Sequence, residues 1–495
     1  MELQFDKTAW PCLMTVAAQV KNEEQTQEVR LGDHLPDIGK VIASWGQVLL
    51  RGKEWRGSGM AVSTGVMAWV LYAPEDGSEP RLVEVWIPVQ LKWDFPETNR
   101  DGVIIAHCQL SCVDARCVSA RKLMVRAVVS VLAEALVPDN VDVWTPGMVP
   151  DDVHLLKRTY PVRLPREAGE RPFAMDETVT LPSQTARVIR CSLRPEIGDT
   201  NVVAGKAVFR GTAALHLLCE DLSGNLYTQD QEIAFSQFAD LDRSYDGDVR
   251  IRVIPALTNL EMELEAPDRL HIQAGCLGQF VVLDRPALEV VEDAYSNRRA
   301  VEIRKEELQL PTELDHQTKS LRLTQEDAPD GERILDMAFL CGHPRVKREE
   351  DAAVLEQTGV FQILCASGGE LKGSVKHVDG QLRLPAQAES MLWASAAPGG
   401  NSQAVLTGGT AELRGEVSLC TVTTAGQGIP MVTGLSLGEP VQPDPNRPSM
   451  ILRRSAGQEL WELAKAAGST VEEIRRANQL QGEPEDDRLL LIPVL

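Results

Sequence analysis

The sequence predicts a mainly β chain: three tandem β-rich units of about 147 residues, each a sandwich or open barrel, then a small α+β domain of strand–helix–helix–strand order. Three observations predict it. Landmarks recur at a fixed spacing, the runs between them alternate apolar and polar residues with period two, and past a proline-rich stretch the period becomes helical. A length of 495 residues fits several domains better than one.

The spacing comes first. KAVFRGTAALHLLCED and DAAVLEQTGVFQILCAS share Ala207-Val208, Thr212 and Leu218-Cys219 with Ala353-Val354, Thr358 and Leu364-Cys365. In the first third, MAVSTGVMAWVLYA ends at Leu71-Tyr72, so Tyr72, Cys219 and Cys365 lie 147 and 146 residues apart. The triplets Lys40-Val41-Ile42, Arg187-Val188-Ile189 and Arg333-Ile334-Leu335 repeat both separations. Turn glycines follow at Gly77, Gly224 and Gly369, and Val162-x-Leu164-Pro165 returns as Leu308-x-Leu310-Pro311. The shared register predicts that Lys40, Arg187 and Arg333 begin equivalent strands. The units then span 1–147, 148–295 and 296–438, the third being the most degenerate. A spacer at 439–449 contains Pro440, Pro443, Pro445 and Pro448, and proline at that density favours an extended connection.

Within the units, RLVEVWIPVQL and KLMVRAVVSVLA read as strands, and RLHIQAGCLGQFVV places Leu270, Ile272, Ala274 and Cys276 on one face. Asp76-Gly77 and Ser223-Gly224-Asn225 supply hairpin turns. SVLAEAL is expected to form a short helix. In the last segment, 450–495, SMILRR is a strand. GQELWELAKAAG carries Leu460, Leu463, Ala464 and Ala467 at helical spacing and stops at Gly468. STVEEIRRANQL opens with a capping box from Ser469 to Glu472 and carries the stripe Val471, Ile474 and Ala477. RLLLIPVL closes the segment as a second strand.

Composition bounds the function. Fifty Lys and Arg against 72 Asp and Glu give a net charge of −22, which disfavours nucleic acid and anionic membranes as partners. No apolar run has the length of a membrane-spanning helix, and the acidic N-terminus lacks the basic-then-apolar order of a signal peptide. The expectation is a soluble, cytoplasmic protein without a transmembrane segment. Ten cysteines are too few for a disulfide scaffold, and Cys191, Cys219, Cys276 and Cys365 sit in apolar runs as buried thiols. Cys108, Cys112 and Cys117, with His107 alongside, fit either small core residues or a zinc site, but no CxxC pair supports the latter.

Catalytic patterns fail. There is no HExxH sequence. Gly205-Lys206 lacks the glycine and hydroxyl residue of a phosphate loop, and Gly57-Ser58-Gly59 lacks the third glycine of a dinucleotide loop. Paired acids such as Asp486-Asp487 read as solvated loop charge. The expectation is a non-enzymatic protein that needs neither metal nor nucleotide cofactor.

The last segment resembles a LysM module, whose pattern runs strand, G-D-T-L-W-x-I-A, t-x-x-E-L-x-x-x-N and L-x-I-P. The matching residues are Gly457-Gln458-Glu459-Leu460-Trp461-Glu462-Leu463-Ala464, then Thr470 to Ile474 with Asn478, then Leu490-Leu491-Ile492-Pro493. The resemblance implies binding of N-acetylglucosamine polymers, peptidoglycan or chitin, through loops holding Gly457, Gln458, Glu459, Asn478, Leu480 and Gln481. Gln458-Glu459 replaces the usual Asp-Thr, and Asp487 replaces a glycine.

Tandem β-rich units ahead of such a module resemble the SPOCS-domain proteins of endospore-forming bacteria, of the SipL type. The shared residues are Gly65, Val70-Leu71-Tyr72, Asp76-Gly77 and Ile87-Pro88-Val89-Gln90 in the first unit. In the second they are Gly211, Ile233 to Gln237 and Gly247-Asp248-Val249. That resemblance implies a spore-coat assembly protein whose LysM segment holds a coat-forming ATPase, or another coat protein, on the forespore in the mother cell. Ile451, Leu460, Trp461 and Ile474 are then the expected partner-binding residues, with Trp461 leading because it follows Leu460 and cannot share its inward face.

Overall fold

The computed structural model describes residues 2–98, 100–245, 247–308, 314–327, 333–385, 391–400, 402–407, 410–424, 428–440, 447–484 and 488–494. Those residues form strands almost throughout, and their two helices both lie beyond residue 450.

The first strands are β1 (Glu2–Leu3), β2 (Phe5–Arg30), β3 (Ile38–Trp55), β4 (Gly59–Pro74), β5 (Arg81–Asp94), β6 (Val103–Ser119) and β7 (Lys122–Pro146). Next come β8 (Val153–Pro161), β9 (Leu164–Thr180), β10 (Thr185–Val203), β11 (Lys206–Asp221), β12 (Leu226–Asp240), β13 (Arg250–Ala266), β14 (Arg269–Asp284) and β15 (Ala287–Ser296). Then follow β16 (Arg299–Leu308), β17 (Leu314–Asp327), β18 (Arg333–Cys341), β19 (Arg345–Arg348), β20 (Ala352–Ser367) and β21 (Glu370–Pro385). After these come β22 (Met391–Pro398), β23 (Gln403–Thr407), β24 (Thr410–Thr424) and β25 (Ile429–Pro440). The tail is β26 (Met450–Arg454), α1 (Leu460–Ala467), α2 (Val471–Asn478) and β27 (Leu489–Pro493).

One sheet order recurs three times. A meander β3-β4-β5 faces a sheet β2-β7-β6, β10-β11-β12 faces β9-β14-β13, and β18/β19-β20-β21 faces β17-β24-β22. Apolar side chains fill the space between the two sheets of each pair, as period-two patterning requires. Along β5, inward Val83, Val85, Ile87, Val89, Leu91 and Trp93 are buried while the residues between them are exposed. Leu270, Ile272, Ala274 and Cys276 lie buried on one face of β14. Gly77, Gly224 and Gly369 turn the meanders with φ of 74°, 83° and 84°, the left-handed region where glycine avoids a Cβ clash.

The basic-aliphatic triplets mark a β-bulge. Lys40 pairs with Ala73 and Val41 with Tyr72, then the register skips Ile42 and resumes at Ala43 with Leu71. Arg187, Val188 and Arg190 pair with Glu220, Cys219 and Leu218 in the same way, skipping Ile189. Arg333, Ile334 and Asp336 pair with Ala366, Cys365 and Leu364, skipping Leu335. An extra residue bends its strand and re-aims the side chain. Here Ile42, Ile189 and Leu335 enter one cluster with Trp45, Trp69, Leu71, Leu218, Ala338 and Leu364, drawn from all three sheet pairs.

That convergence is close-packed. A Cβ on Gly373 would sit 1.9 Å from the Ile42 carbonyl oxygen, so only glycine admits the approach of β21 to β3. A second shared cluster joins Leu13, Ile105, Leu132 and Leu136 to Val281, Leu283, Trp393 and Val422. It explains one departure from the sequence expectation. SVLAEAL is not a helix but the middle of β7, between β2 and β6, with Ser130 to Leu136 buried on both faces. Val131, Ala133 and Ala135 face the core of their own sheet pair while Leu132 and Leu136 face the other pairs, which erases the polar alternation. Glu134 tolerates that burial because Arg252 pairs with it.

The C-terminal half of β7 with the start of β2, the pair β8-β15, and β16-β25 build a further common core that includes Cys12, Val143, Val290, Ile429 and Met431. The tail packs beside β15.

Candidate functional site

Two places collect functional-type side chains: a charged junction where the sheet pairs meet, and the tail.

At the junction, Asp336, one residue past the third bulge, accepts from Arg190 Nη1 at 2.7 Å and pairs with His216 Nε2 at 2.9 Å. His216 Nδ1 reaches Asp230 at 2.7 Å. Burial works against the Asp336 carboxylate, but Arg190 and His216 hold it well below the usual carboxylate range. Burial likewise disfavours the His216 imidazolium, yet its two aspartate partners carry its pKa above the ordinary value. These groups satisfy one another across two sheet pairs and clamp β10 and β11 to β18. Residues so far apart in sequence carried no motif. Nearby, Gln362 Nε2 donates to the carbonyls of Ser44 and Val113 at 2.9 and 2.8 Å, fastening the third pair to the first.

Burial pushes Cys108 and Cys191 up to about 12, far from thiolate reactivity. Cys112 is buried and Cys117 exposed, and among the described residues no three His, Cys, Asp or Glu side chains group as metal ligands. His343 is fixed as a neutral ring: Nε2 donates to the His107 carbonyl at 2.8 Å, Nδ1 accepts from Ala396 N–H at 3.1 Å, and burial lowers its pKa to about 4.

The tail is built on Leu460, Leu463, Ala464, Ile474, Leu490 and Ile492, all fully buried. Gly468 ends α1 with φ 61°. The helix starts are one step from expectation or differently made. Thr470, not Ser469, caps α2 by accepting from Glu473 N–H at 3.1 Å, and Ser469 is buried beside it. Glu483 accepts from Leu460 N–H at 2.8 Å, so an acid of the following loop meets the positive end of α1. Asp486 and Asp487 lie outside the described residues, as do Pro443, Pro445, Leu310 and Pro311.

Several predicted site residues are corrected by these positions. Leu460 and Ile474 are core and present no surface to a partner. Ile451 is half-buried against the same core. Trp461 does form an interface, but with its own chain: its indole N–H donates to Asp293 Oδ2 at 2.9 Å, and its ring meets Tyr295 edge-on at 4.8 Å between centroids. Around it, Lys465 and Lys305 pair with Asp293 at 2.7 and 3.1 Å, and Tyr295 O–H donates to the Ser469 carbonyl at 2.9 Å. Burial opposes the Asp293 charge, but Lys465, Trp461 and Lys305 hold its pKa below the ordinary value.

The loop residues are also engaged. Both Glu459 oxygens accept from Arg158 Nη2 at 2.8 Å, and Gln458 Oε1 accepts from Arg453 at 3.1 Å. Gly457 turns the loop with φ 75°. Asn478 Oδ1 accepts from Leu491 N–H at 2.8 Å while its Nδ2 donates to the Leu491 carbonyl at 2.6 Å and the Ile474 carbonyl at 2.8 Å, which uses up the amide. Leu480 packs against the tail core, and Gln481 is exposed.

What the tail does expose is the outer face of its hairpin. Ile451 pairs with Ile492 and turns inward, so Met450 and Leu452 turn out, 53% and 64% exposed, with Leu489 at 56% beside them. Sequence reasoning passed over these three. The available signal was an M-x-L strand in a two-stranded hairpin, which has one core face and no second layer to cover the other.

Compared with protein-family models, curated proteins and solved structures, the chain matches none of them.

Proposed function

We propose that the chain is a non-enzymatic adaptor of the endospore coat, acting in the mother cell at the forespore surface. In this reading the three sheet pairs are copies of one SPOCS-like unit, and residues 450–495 are a LysM-like module that holds a coat-forming ATPase or another coat protein. The units support it through the recurring sheet order and the recurring bulge. The observation that carries the choice of protein over sugar is the division of the tail's surface. Its loop side is spent on Arg158, Asp293 and internal hydrogen bonds, whereas Met450, Leu452 and Leu489 form an exposed apolar face of the kind that marks protein contacts. No cofactor enters this role.

The test is binding of the purified full chain to the purified coat ATPase. Met450→Glu with Leu452→Glu should weaken capture at least tenfold, about 1.4 kcal/mol or more, without unfolding the chain. Retention on insoluble peptidoglycan, lost on changing Gly457 and Gln481, together with no effect of the glutamate pair on ATPase capture, would turn the reading to glycan binding.

A further inference from the structure

The tail hairpin is a two-stranded sheet, and its two edges differ. On β27, the outward main-chain groups of Leu491 are both taken by the Asn478 amide, which stands where a neighbouring strand would. On β26 the ladder phase follows from its ends: Val494 N–H donates to the Ser449 carbonyl at 2.9 Å and Ser455 N–H to the Arg488 carbonyl at 2.8 Å. Ser449, Ile451, Arg453 and Ser455 therefore turn their peptide groups toward β27, and Met450 and Leu452 turn theirs outward. Among the described residues nothing pairs with the outward groups of Met450 and Leu452. An open edge of this kind is a template for a further strand.

Chemistry narrows the occupant. Residues 447–458 contain Arg447, Arg453 and Arg454 and no carboxylate, in a chain whose net charge is −22. Met450 and Leu452 give the outer face an apolar strip at strand spacing. We infer that β26 accepts an extended segment of another protein as a third strand, one that alternates apolar residues with carboxylates. Its main chain pairs with Met450 and Leu452, its apolar side chains lie beside theirs, and its acids, on the opposite face, meet the positive charge of Arg453. This deepens the adaptor reading and rests on it only for the identity of the protein that supplies the segment.

The test uses the full chain and a short fluorescein-labelled peptide of alternating Val and Glu, followed by fluorescence anisotropy. Leu452→Pro removes an outward N–H while leaving the β26–β27 ladder its bonds, a place where an edge strand tolerates proline. It should weaken peptide binding at least tenfold relative to Leu452→Ala, which loses the side chain but keeps the N–H. The same peptide N-methylated at alternate residues should not bind the unaltered chain, an arm that holds even if the proline variant misfolds. A Val–Lys peptide should bind more weakly than Val–Glu, and the difference should shrink with added salt. Equal binding by Leu452→Pro and Leu452→Ala, undiminished binding of the N-methylated peptide, or no binding of the Val–Glu peptide would overturn strand addition. Failure of the adaptor reading looks different: the coat ATPase is not captured at all, whatever the peptide does.

Discussion

The chain uses one device at two depths. At the convergence of the sheet pairs, Asp336 is gripped by Arg190 and His216 with 1% of its side chain exposed. At the seat of the tail, Asp293 is gripped by Lys465, Lys305 and Trp461 with 15% exposed. The first lies within a shared apolar core reaching all three sheet pairs, the second beneath a small domain joined by the segment 439–449. The contrast separates a contact that belongs to the fold from one that holds a domain in place. Depth decides which, because a buried charge deprived of its partner has no water to turn to.

Removing the deep aspartate should therefore have the largest effect. Asp336→Ala leaves the Arg190 guanidinium buried and unpaired, and chemical denaturation should show a loss of about 3–5 kcal/mol. A loss below about 1 kcal/mol would erase the distinction between the junctions.

The seat of the tail should respond less, and to pH. Asp293→Asn removes a charged acceptor of three donors, costing the docked state about 1.5–3 kcal/mol. Hydrogen exchange at α1 should rise while β4, β11 and β20 stay protected. Because the folded pKa of Asp293 is depressed, its contribution is present above the unfolded value of about 3.9 and is lost as pH falls through the folded value. The indole N–H resonance of Trp461 should move on acidification in the unaltered chain and not in Asp293→Asn.

The smallest effect belongs to the rim. Arg158 and Glu459 are 44% and 51% exposed, so Arg158→Ala should change tail docking by about 0–1 kcal/mol, an effect that disappears at high salt. A larger, salt-insensitive effect would make Arg158 part of the seat itself.

Much of the architecture was legible in the sequence because one-sided burial writes itself as alternation. β5 and β14 show it, and so do α1 with its Leu460, Leu463 and Ala464 stripe and the glycine that ends it. β7 was misread as partly helical where two cores cover it, since burial on both faces removes the signal that separates a strand from a buried helix. The cap of α2 fell one residue away from the sequence reading because Ser and Thr both serve as N-caps, so adjacent Ser469 and Thr470 leave the helix start open by one residue. In the candidate site, Asn478 was picked out by motif, but its work as a brace on β27 follows only from where Leu491 lies. Trp461 was expected to face a partner, and the structure packs it against the tail core and joins it to Asp293 and Tyr295 of its own chain.

By itself, then, the sequence determined what is local or periodic: a mainly β body, the landmark spacing, the turn glycines, and a tail of strand, two helices and strand. Side-chain alternation, helical stripes and left-handed glycines are consequences of backbone geometry and need no knowledge of distant residues. Tertiary structure alone decided where bulged Ile42, Ile189 and Leu335 would meet, which aspartate would be buried, and which face of the tail would be left over. Those outcomes depend on pairs such as Arg190 with Asp336 and Trp461 with Asp293, far apart in the chain. Neither partner's local sequence records which distant side chain will exclude the water around it.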